Sequence, residues 1–458
     1  MSKTVLIRPR GPVLSAASLD TGPEDVDFWS SYLVPRFHAY LSEAGSYTPE
    51  QQAAHLSCVR AAAVALGPKH PHPHVKSALT KNGSPIELSF NLSEDRLPTA
   101  RFYIEPLGPE TGTENDPFGE SWAARGFSCL ASQMTSMDTS WYEHLGQAFR
   151  LKGQVEVDTA NSQSRPGMWL PKVFLGVDFK GADRMLKCGF CPLLKLSAMG
   201  AKWDRLADHN KFVLDVVRGL PGCGANMSAA LGMLERYLVQ DREHSAGAQG
   251  QGDGVDDGRK DASSMCQACA KANRPKPFFN LVSVDCADPS NGKGRVKLYT
   301  RTSCNAFACI RDAVTLGGRL TDEDTLEGLR RLRSVWHLLL NDPVSQHDDE
   351  YSRTVAVESH RQGIDINWEI SDQLPAPQAK VYVPVSMFHE NDLGANRNLS
   401  EAFRKLNWLE WAEGRYEKML GRVFPEADFA TSHVNTWISY CYYKGRGSYM
   451  TMYHSPPW

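Results

Sequence analysis

"GRVKLYTRT", residues 294–302, places Val296, Leu298 and Thr300 on one side of an extended chain and Arg295, Lys297, Tyr299 and Arg301 on the other. This period of two predicts a β-strand with one apolar face and one face carrying three cations. On an open antiparallel sheet the cationic face would meet water and serve only solubility. In a sheet that closes on itself, the same face lines an interior. Fold and function both turn on that difference.

Other segments follow the same pattern. In "IELSFNL" (86–92), Glu87, Ser89 and Asn91 oppose Leu88, Phe90 and Leu92; in "ARFYIEP" (100–106), Arg101, Tyr103 and Glu105 oppose Phe102 and Ile104. "FLGVDFKG" sets Asp178 and Lys180 against Val177 and Phe179, and "LKCGFCP" sets Lys187 and Gly189 against Leu186, Cys188 and Phe190. "KVYVP" opposes Lys380 and Tyr382 to Val381 and Val383, while "SYMTMY" opposes Tyr449, Thr451 and Tyr453 to Met450 and Met452. A cation stands two residues from a tyrosine three times: Lys297 with Tyr299, Lys380 with Tyr382, Arg101 with Tyr103. A solvated face would mix lysine, glutamate and threonine instead. The pairing therefore favours closure, with a lumen wide enough for a ligand.

Amphipathic helices alternate with these strands and need an apolar surface to cover. "DVDFWSSYLVPRFHAYL" aligns Trp29, Leu33, Phe37 and Leu41, with Pro35 a candidate kink. "SWYEHLGQAF" aligns Trp141, Leu145, Ala148 and Phe149. In "TDEDTLEGLRRLRSVWHLLL" Thr321 is the candidate cap, and Ser400 is expected to open a further helix through Trp408 and Leu409.

The 458 residues, 41% of them hydrophobic, suffice for one large domain. A net charge of −3 gives no global attraction to nucleic acid or to an anionic membrane, so a bound anion needs a local cluster of cations. No run approaches the roughly 18 apolar residues of a membrane span, and the expected location is the cytoplasm. Residues 241–275 are rich in Gly, Ser, Asp and Gln and read as a disordered insertion within a single domain spanning 1–458. Eleven cysteines without a framework read as reduced thiols. Two CxxC pairs, Cys188 with Cys191 and Cys266 with Cys269, are separated by 74 residues, which is long for a compact zinc ribbon, and no metal ligands are assigned.

Arginines and lysines converging in a low-dielectric cavity suit a diphosphate, and tyrosine faces beside them suit a cation. Together they fit ionisation of an allylic diphosphate and protection of the carbocation until an aromatic ring attacks it. The segments "RVKLYTRT", "KVYVP", "PIELSFNL" with "RFYIEP", "VDFKG" with "LKCGFCP", and "TWISYCYYKGRGSYMTMY" together resemble the fungal aromatic prenyltransferases of the dimethylallyltryptophan synthase family, from about Phe28 to Tyr453. The resemblance implies an α+β fold: a ten-stranded antiparallel β-barrel of repeated ββαα units, helices outside and the site in the lumen (the ABBA prenyltransferase fold).

Carried over residue by residue, it implies diphosphate binding by Arg101, Lys187, Arg295, Lys297 and Lys380 and a carbocation shield of Tyr299, Tyr382, Tyr449 and Tyr453. Glu87 would accept the acceptor's indole N–H; the alternative is a structural ion pair with Arg101. Three departures bear on specificity. Phe174 stands where members that prenylate tryptophan at C4 carry a lysine, Gly189 replaces a shield tyrosine and is expected to open space, and Lys380 replaces a glutamine. The acid pairs Asp256–Asp257 and Asp348–Asp349 lie outside any helical DDxxD pattern, so no cofactor is expected and magnesium is not essential.

The expected activity is metal-independent Friedel-Crafts transfer of a dimethylallyl, geranyl or longer group from its diphosphate to an indole-containing small molecule in secondary metabolism. The alternative acceptor is phenolic, xanthone-like or a tyrosine. No nucleic-acid or membrane partner is expected, and the oligomeric state is open, a homodimer being one option. A zinc-stabilised binding module and a non-catalytic carrier of an anionic lipid are the rival classes.

Overall fold

A computed structural model describes residues 21–163, 169–200, 206–240, 269, 277–292, 294–343, 348–353 and 363–458. Ten strands run β1 (Ile86–Ser93), β2 (Thr99–Ile104), β3 (Val173–Lys180), β4 (Asp183–Phe190), β5 (Phe279–Asp285), β6 (Val296–Thr302), β7 (Ile364–Ile370), β8 (Gln378–Val383), β9 (Asn435–Tyr443) and β10 (Gly447–His454). Each pairs antiparallel with its sequence neighbours, and β1 pairs with β10, which closes the barrel. Helices separate successive hairpins, so the chain repeats a ββαα unit. The barrel and the strand count agree with the sequence expectation.

Closure settles the face of "GRVKLYTRT". Leu298 and Val296 are fully buried on the outer face, beneath the helices, and Lys297 on the inner face is only 9% exposed. β1 is buried at every position from Ile86 to Leu92, polar and apolar alike. An open sheet would have left alternate residues in water.

The helix Pro23–Ala44 runs through Pro35 and buries Trp29, Leu33, Phe37 and Leu41 as its periodicity predicts. Phe37 meets Phe102 of β2 and Phe179 of β3 edge-on, with ring centroids 5.6 and 5.4 Å apart, so helix and barrel wall share one core. Two helix starts differ from expectation. Asp322, not Thr321, caps Glu323–Leu339, its carboxylate accepting from the Thr325 N–H; a carboxylate also complements the positive helix end. Ser400 lies inside the helix Asp392–Lys405, which Asn391 caps by accepting from the Gly394 N–H. Leu409, placed on a buried stripe by its periodicity, is 50% exposed.

Most of the 241–275 insertion, including Asp256, Asp257 and Cys266, lies outside the described residues. Cys269, inside it, is helical and 3% exposed, which corrects the expectation of disorder at that position. Among the described residues no helix is long and apolar enough to cross a membrane.

Candidate active site

Cations and acids alternate around the inner wall. Arg101 on β2 and Lys187 on β4 both pair with Asp178 on β3, the former at 3.4 Å. Arg295, at the foot of β6, and Lys297 pair with Asp285 at the end of β5, Lys297 at 3.3 Å. Arg295 also reaches Glu369 on β7, at 3.2 Å. Strand register enforces this: Asp178 lies opposite Arg101, Asp285 opposite Lys187, and Glu369 opposite Lys297.

Lys380 on β8 differs. Among the described residues no carboxylate lies within ion-pair distance, and its Nζ sits 4.4 Å from the Tyr449 ring centroid. The five cations assigned from sequence thus converge on a cluster with three carboxylates, leaving an excess of two positive charges. The pairing does not exhaust their hydrogen bonding either. Arg101 Nε and Asp178 Oδ1 are buried without a hydrogen-bond partner, although they face each other. Five cations converging without counter-charge would repel one another strongly; the three acids relieve that repulsion and leave a positive excess that suits an anion.

Electrostatics follow the layout. Burial works against Asp178, but Arg101 and Lys187 hold its carboxyl well below the usual range. Asp285 is held down in the same way by Arg295 and Lys297. Burial, with Lys297 and Arg101 nearby, depresses the Lys187 ammonium well below the ordinary lysine range in spite of Asp178.

The tyrosines form a connected wall. Tyr299 and Tyr382 have centroids 5.7 Å apart, and Tyr382 and Tyr453 5.9 Å. The Asn367 amide fixes the Tyr382 hydroxyl at 3.1 Å. Tyr449 belongs to the cation cluster as much as to the wall, since Arg101 Nη2 donates to its hydroxyl at 2.7 Å. Burial raises its pKa, yet Arg101 and Lys380 bring it below the ordinary tyrosine value.

Tyr103 completes the wall. A Cβ at Gly176 would overlap the Tyr103 ring, so the glycine is what lets this side chain lie flat on β3. The "RFY" pairing flagged Tyr103, but the site assignment omitted it. Gly189 also needs refinement. It lies opposite Phe174 in the β3–β4 register, but an added Cβ would stand only 3.2 Å from Leu281 Cδ1 on β5. Leu281 therefore occupies much of the space that the glycine alone was expected to open.

Glu87 stands apart from the cations. It is 6% exposed, and among the described residues its one side-chain hydrogen bond comes from Thr436 Oγ1 at 3.1 Å. Arg101 is bound to Asp178, so the alternative of a Glu87–Arg101 ion pair is not what forms. Burial, weakly opposed by Thr436, pushes the Glu87 carboxyl up to about 8. A buried acid with an elevated pKa and no cationic partner among the described residues is a candidate proton-handling group.

Sequence reasoning missed Asp285, Glu369 and Asp365, the last of which holds Arg301 at 2.7 Å. "FNLVSVD" and "IDINWEI" alternate like the other strands, and the same rule would have placed all three on the inner face. Of the acid pair Asp348–Asp349, Asp349 is engaged by Arg311 and by Arg333, the latter at 2.6 Å, and it lies in a surface loop.

Comparison with known proteins agrees with this geometry. The family described as Tryptophan dimethylallyltransferase matches residues 25–419. The indole prenyltransferase tdiB of Emericella nidulans is 29% identical over 94% of this chain and 95% of its own length. The indole diterpene prenyltransferase terF of Tolypocladium album is 28% identical over 97% of each chain. The crystal structure of NotF prenyltransferase superposes with a TM-score of 0.73 at 24% identity, covering 95% of this chain and 96% of that one, and so shares the fold. With the family matched over most of its length and the barrel closed around a cation and tyrosine lumen, this chain belongs to the tryptophan dimethylallyltransferase family of aromatic prenyltransferases.

Proposed function

We propose that this protein transfers a prenyl group from an allylic diphosphate to an indole-containing acceptor by electrophilic aromatic substitution, with fixed cations doing the work that magnesium does in other prenyl-transfer chemistry. The observation that carries the reading is the division of the lumen: a cluster with two excess positive charges, a contiguous tyrosine wall, and one isolated buried acid. Relatives named as indole and indole diterpene prenyltransferases support an indole acceptor.

The diphosphate docks on Arg101, Lys187, Arg295, Lys297 and Lys380. The allylic C–O bond then breaks heterolytically and its electron pair leaves with the diphosphate, whose growing charge these cations stabilise. Tyr103, Tyr299, Tyr382 and Tyr453 offer their π faces to the allylic cation and keep water from it. Glu87 accepts the indole N–H, which raises electron density in the ring and orients it. Ring carbon attack forms the new C–C bond, and the arenium proton passes to Glu87 or to the departing diphosphate. Phe174, where a lysine base would otherwise stand, offers no proton acceptor.

Mass spectrometry of purified protein with EDTA, an indole and phenol panel, and separate C5, C10 and C15 donors tests this. A prenylated indole formed in EDTA supports the reading. Product that appears only with added magnesium overturns the metal-free part, and prenylated phenols without indole products overturn the acceptor.

A further inference from the structure

Outside the barrel lumen, three cysteines from two distant segments meet. Cys269 comes from the stretch before β5; Cys304 lies just past the end of β6, and Cys309 is in the first turn of the helix Phe307–Val314. Their three sulfurs all lie within 4.8 Å of one another, and Cys309 Sγ is 3.6 Å from Cys269 Sγ. Cys269 and Cys304 are 3% and 1% exposed, and with Ala306 and Ala308 they form a small cluster separate from the main core. Cys309 is partly exposed and leaves a path from solvent.

Two properties set this cluster apart from the chain's other cysteines. First, its spacing suits a metal. With Zn–S bonds of about 2.3 Å, two thiolates on a tetrahedral zinc stand about 3.8 Å apart. The Cys269–Cys309 separation matches that edge. A disulfide would need the sulfurs at about 2.05 Å and would leave a third thiol in contact with it.

Second, the site is held by groups other than sulfur. The Asn305 side chain clamps Arg353 from both sides, donating to its carbonyl and accepting its N–H, each at 2.8 Å. Trp336 Nε1 donates to the Asn305 carbonyl at 3.2 Å. The turn carrying Cys304 is thus fixed before any ion binds, which is the preorganisation a metal site needs.

We propose that Cys269, Cys304 and Cys309 supply three of the four ligands of a single structural zinc ion, a water completing the tetrahedron, and that the ion ties Cys269 to the turn leaving β6. Cys269 belongs to the second of the two CxxC pairs visible in the sequence, and its partner Cys266 lies outside the described residues; the first pair lies elsewhere. Cys188 packs against Cys286 instead, with the sulfurs 3.7 Å apart. The ion takes no part in prenyl transfer; it closes the stretch from Cys269 to Cys304, which carries β5 and β6, and its binding energy adds to the folding energy of that part of the barrel. Zinc fits better than magnesium or calcium because all three donors are soft thiolates.

The test is metal analysis of the full-length protein, purified without chelator or affinity metal and desalted, by inductively coupled plasma mass spectrometry. About one zinc per chain is expected. Cys309→Ser, at the partly exposed position, should lose most of that zinc while remaining folded by circular dichroism. Cobalt-exchanged wild type should show thiolate-to-cobalt charge-transfer and tetrahedral d–d absorption that Cys309→Ser lacks. Absence of metal with all three thiols alkylated by iodoacetamide in the native protein, or a mass-mapped Cys269–Cys309 disulfide, would overturn the site. Zinc retained by both Cys309→Ser and Cys304→Ser would overturn it too. None of these readouts depends on turnover, so a failed zinc site and a failed transferase assignment remain distinguishable.

Discussion

Thr436 on β9 donates to Glu87 on β1 at 3.1 Å, bridging two strands separated by β10, and this is the one side-chain hydrogen bond the buried carboxyl receives among the described residues. The contact is too weak to offset burial, which pushes the Glu87 carboxyl up to about 8. Its ability to accept an N–H or a proton should therefore switch on as pH rises. Under saturating donor, turnover of an indole acceptor is expected to climb through pH 7 to 9 and then level. Glu87→Gln should lose roughly 10²- to 10³-fold in kcat, the scale of a single proton-handling group, and its profile should be flat across that range. A wild-type profile already level at pH 6 would show that the carboxyl ionises earlier, or is not the group required.

The same residue makes a stability prediction of opposite sign. Its folded pKa lies above the unfolded value, so from about pH 4.5 to 8 the folded state holds a proton that the unfolded state has released. Stability from this group falls as pH rises through that window. Glu87→Gln, which carries no ionisation, should melt increasingly above wild type between pH 5 and pH 9 by differential scanning fluorimetry. An unchanging difference would contradict the raised pKa.

Lys380 and Lys297 should behave differently although both are proposed to bind the diphosphate. Among the described residues no acid pairs directly with Lys380, which only helps to lower Glu369 at longer range, so Lys380→Gln removes one of two excess charges without stranding an ion-pair partner. At about 5 Å and an effective dielectric near 20, one charge is worth about 3 kcal/mol, so donor KM should rise at least tenfold with Tm nearly unchanged. Lys297→Gln leaves Asp285 with a single partner, Arg295, and should lower Tm as well as weaken donor binding. Calorimetric titration with a non-hydrolysable thiolodiphosphate, beside thermal melts, separates the two outcomes.

Legibility of the site from sequence followed the strength of each local signal. The barrel wall was readable because a strand's period of two survives in single segments such as "RVKLYTRT", and all five cations identified that way do face the lumen. Of the three balancing acids, Asp178 was legible on a polar strand face, but Asp285 and Glu369 were not read, because an aspartate at a strand end, such as Asp285, looks like any solubilising residue until closure makes its face an interior. Partners set by register between distant strands leave no local trace: Thr436 lies 349 positions from Glu87. Leu281 was invisible for the same reason, since its approach to Gly189 is fixed by the β4–β5 pairing. Helix starts were misplaced where two plausible caps lie close together, as at Thr321 and Asp322.

The tyrosine wall predicts where the carbocation goes when shielding fails. Tyr382→Phe keeps the π face and loses one hydrogen bond from Asn367, worth about 1 kcal/mol, so product yield per diphosphate released should hardly change. Tyr382→Ala opens a gap between Tyr299 and Tyr453. More of the cation should then be captured by water, giving prenyl alcohol at the expense of prenylated indole. The ratio of alcohol to product by gas chromatography reads this directly, and an unchanged ratio in the alanine variant would remove Tyr382 from the shield.

Donor length should depend on Leu281 more than on Gly189. The leucine methyl lies 3.2 Å from where a Cβ on Gly189 would stand, so Gly189→Ala requires only a small side-chain shift of Leu281 and should cost little activity with a C5 donor. Leu281→Ala removes the group filling that recess, and deleting its three heavy atoms should let a C10 donor compete better against C5, by roughly 10-fold in the kcat/KM ratio, a little over 1 kcal/mol. The larger Gly189→Tyr should reverse the effect and exclude C10, because ring and leucine cannot both occupy the recess. If Leu281→Ala left the C10 to C5 ratio untouched while Gly189→Ala shifted it, the glycine itself would be the determinant, as its place in the sequence first suggested.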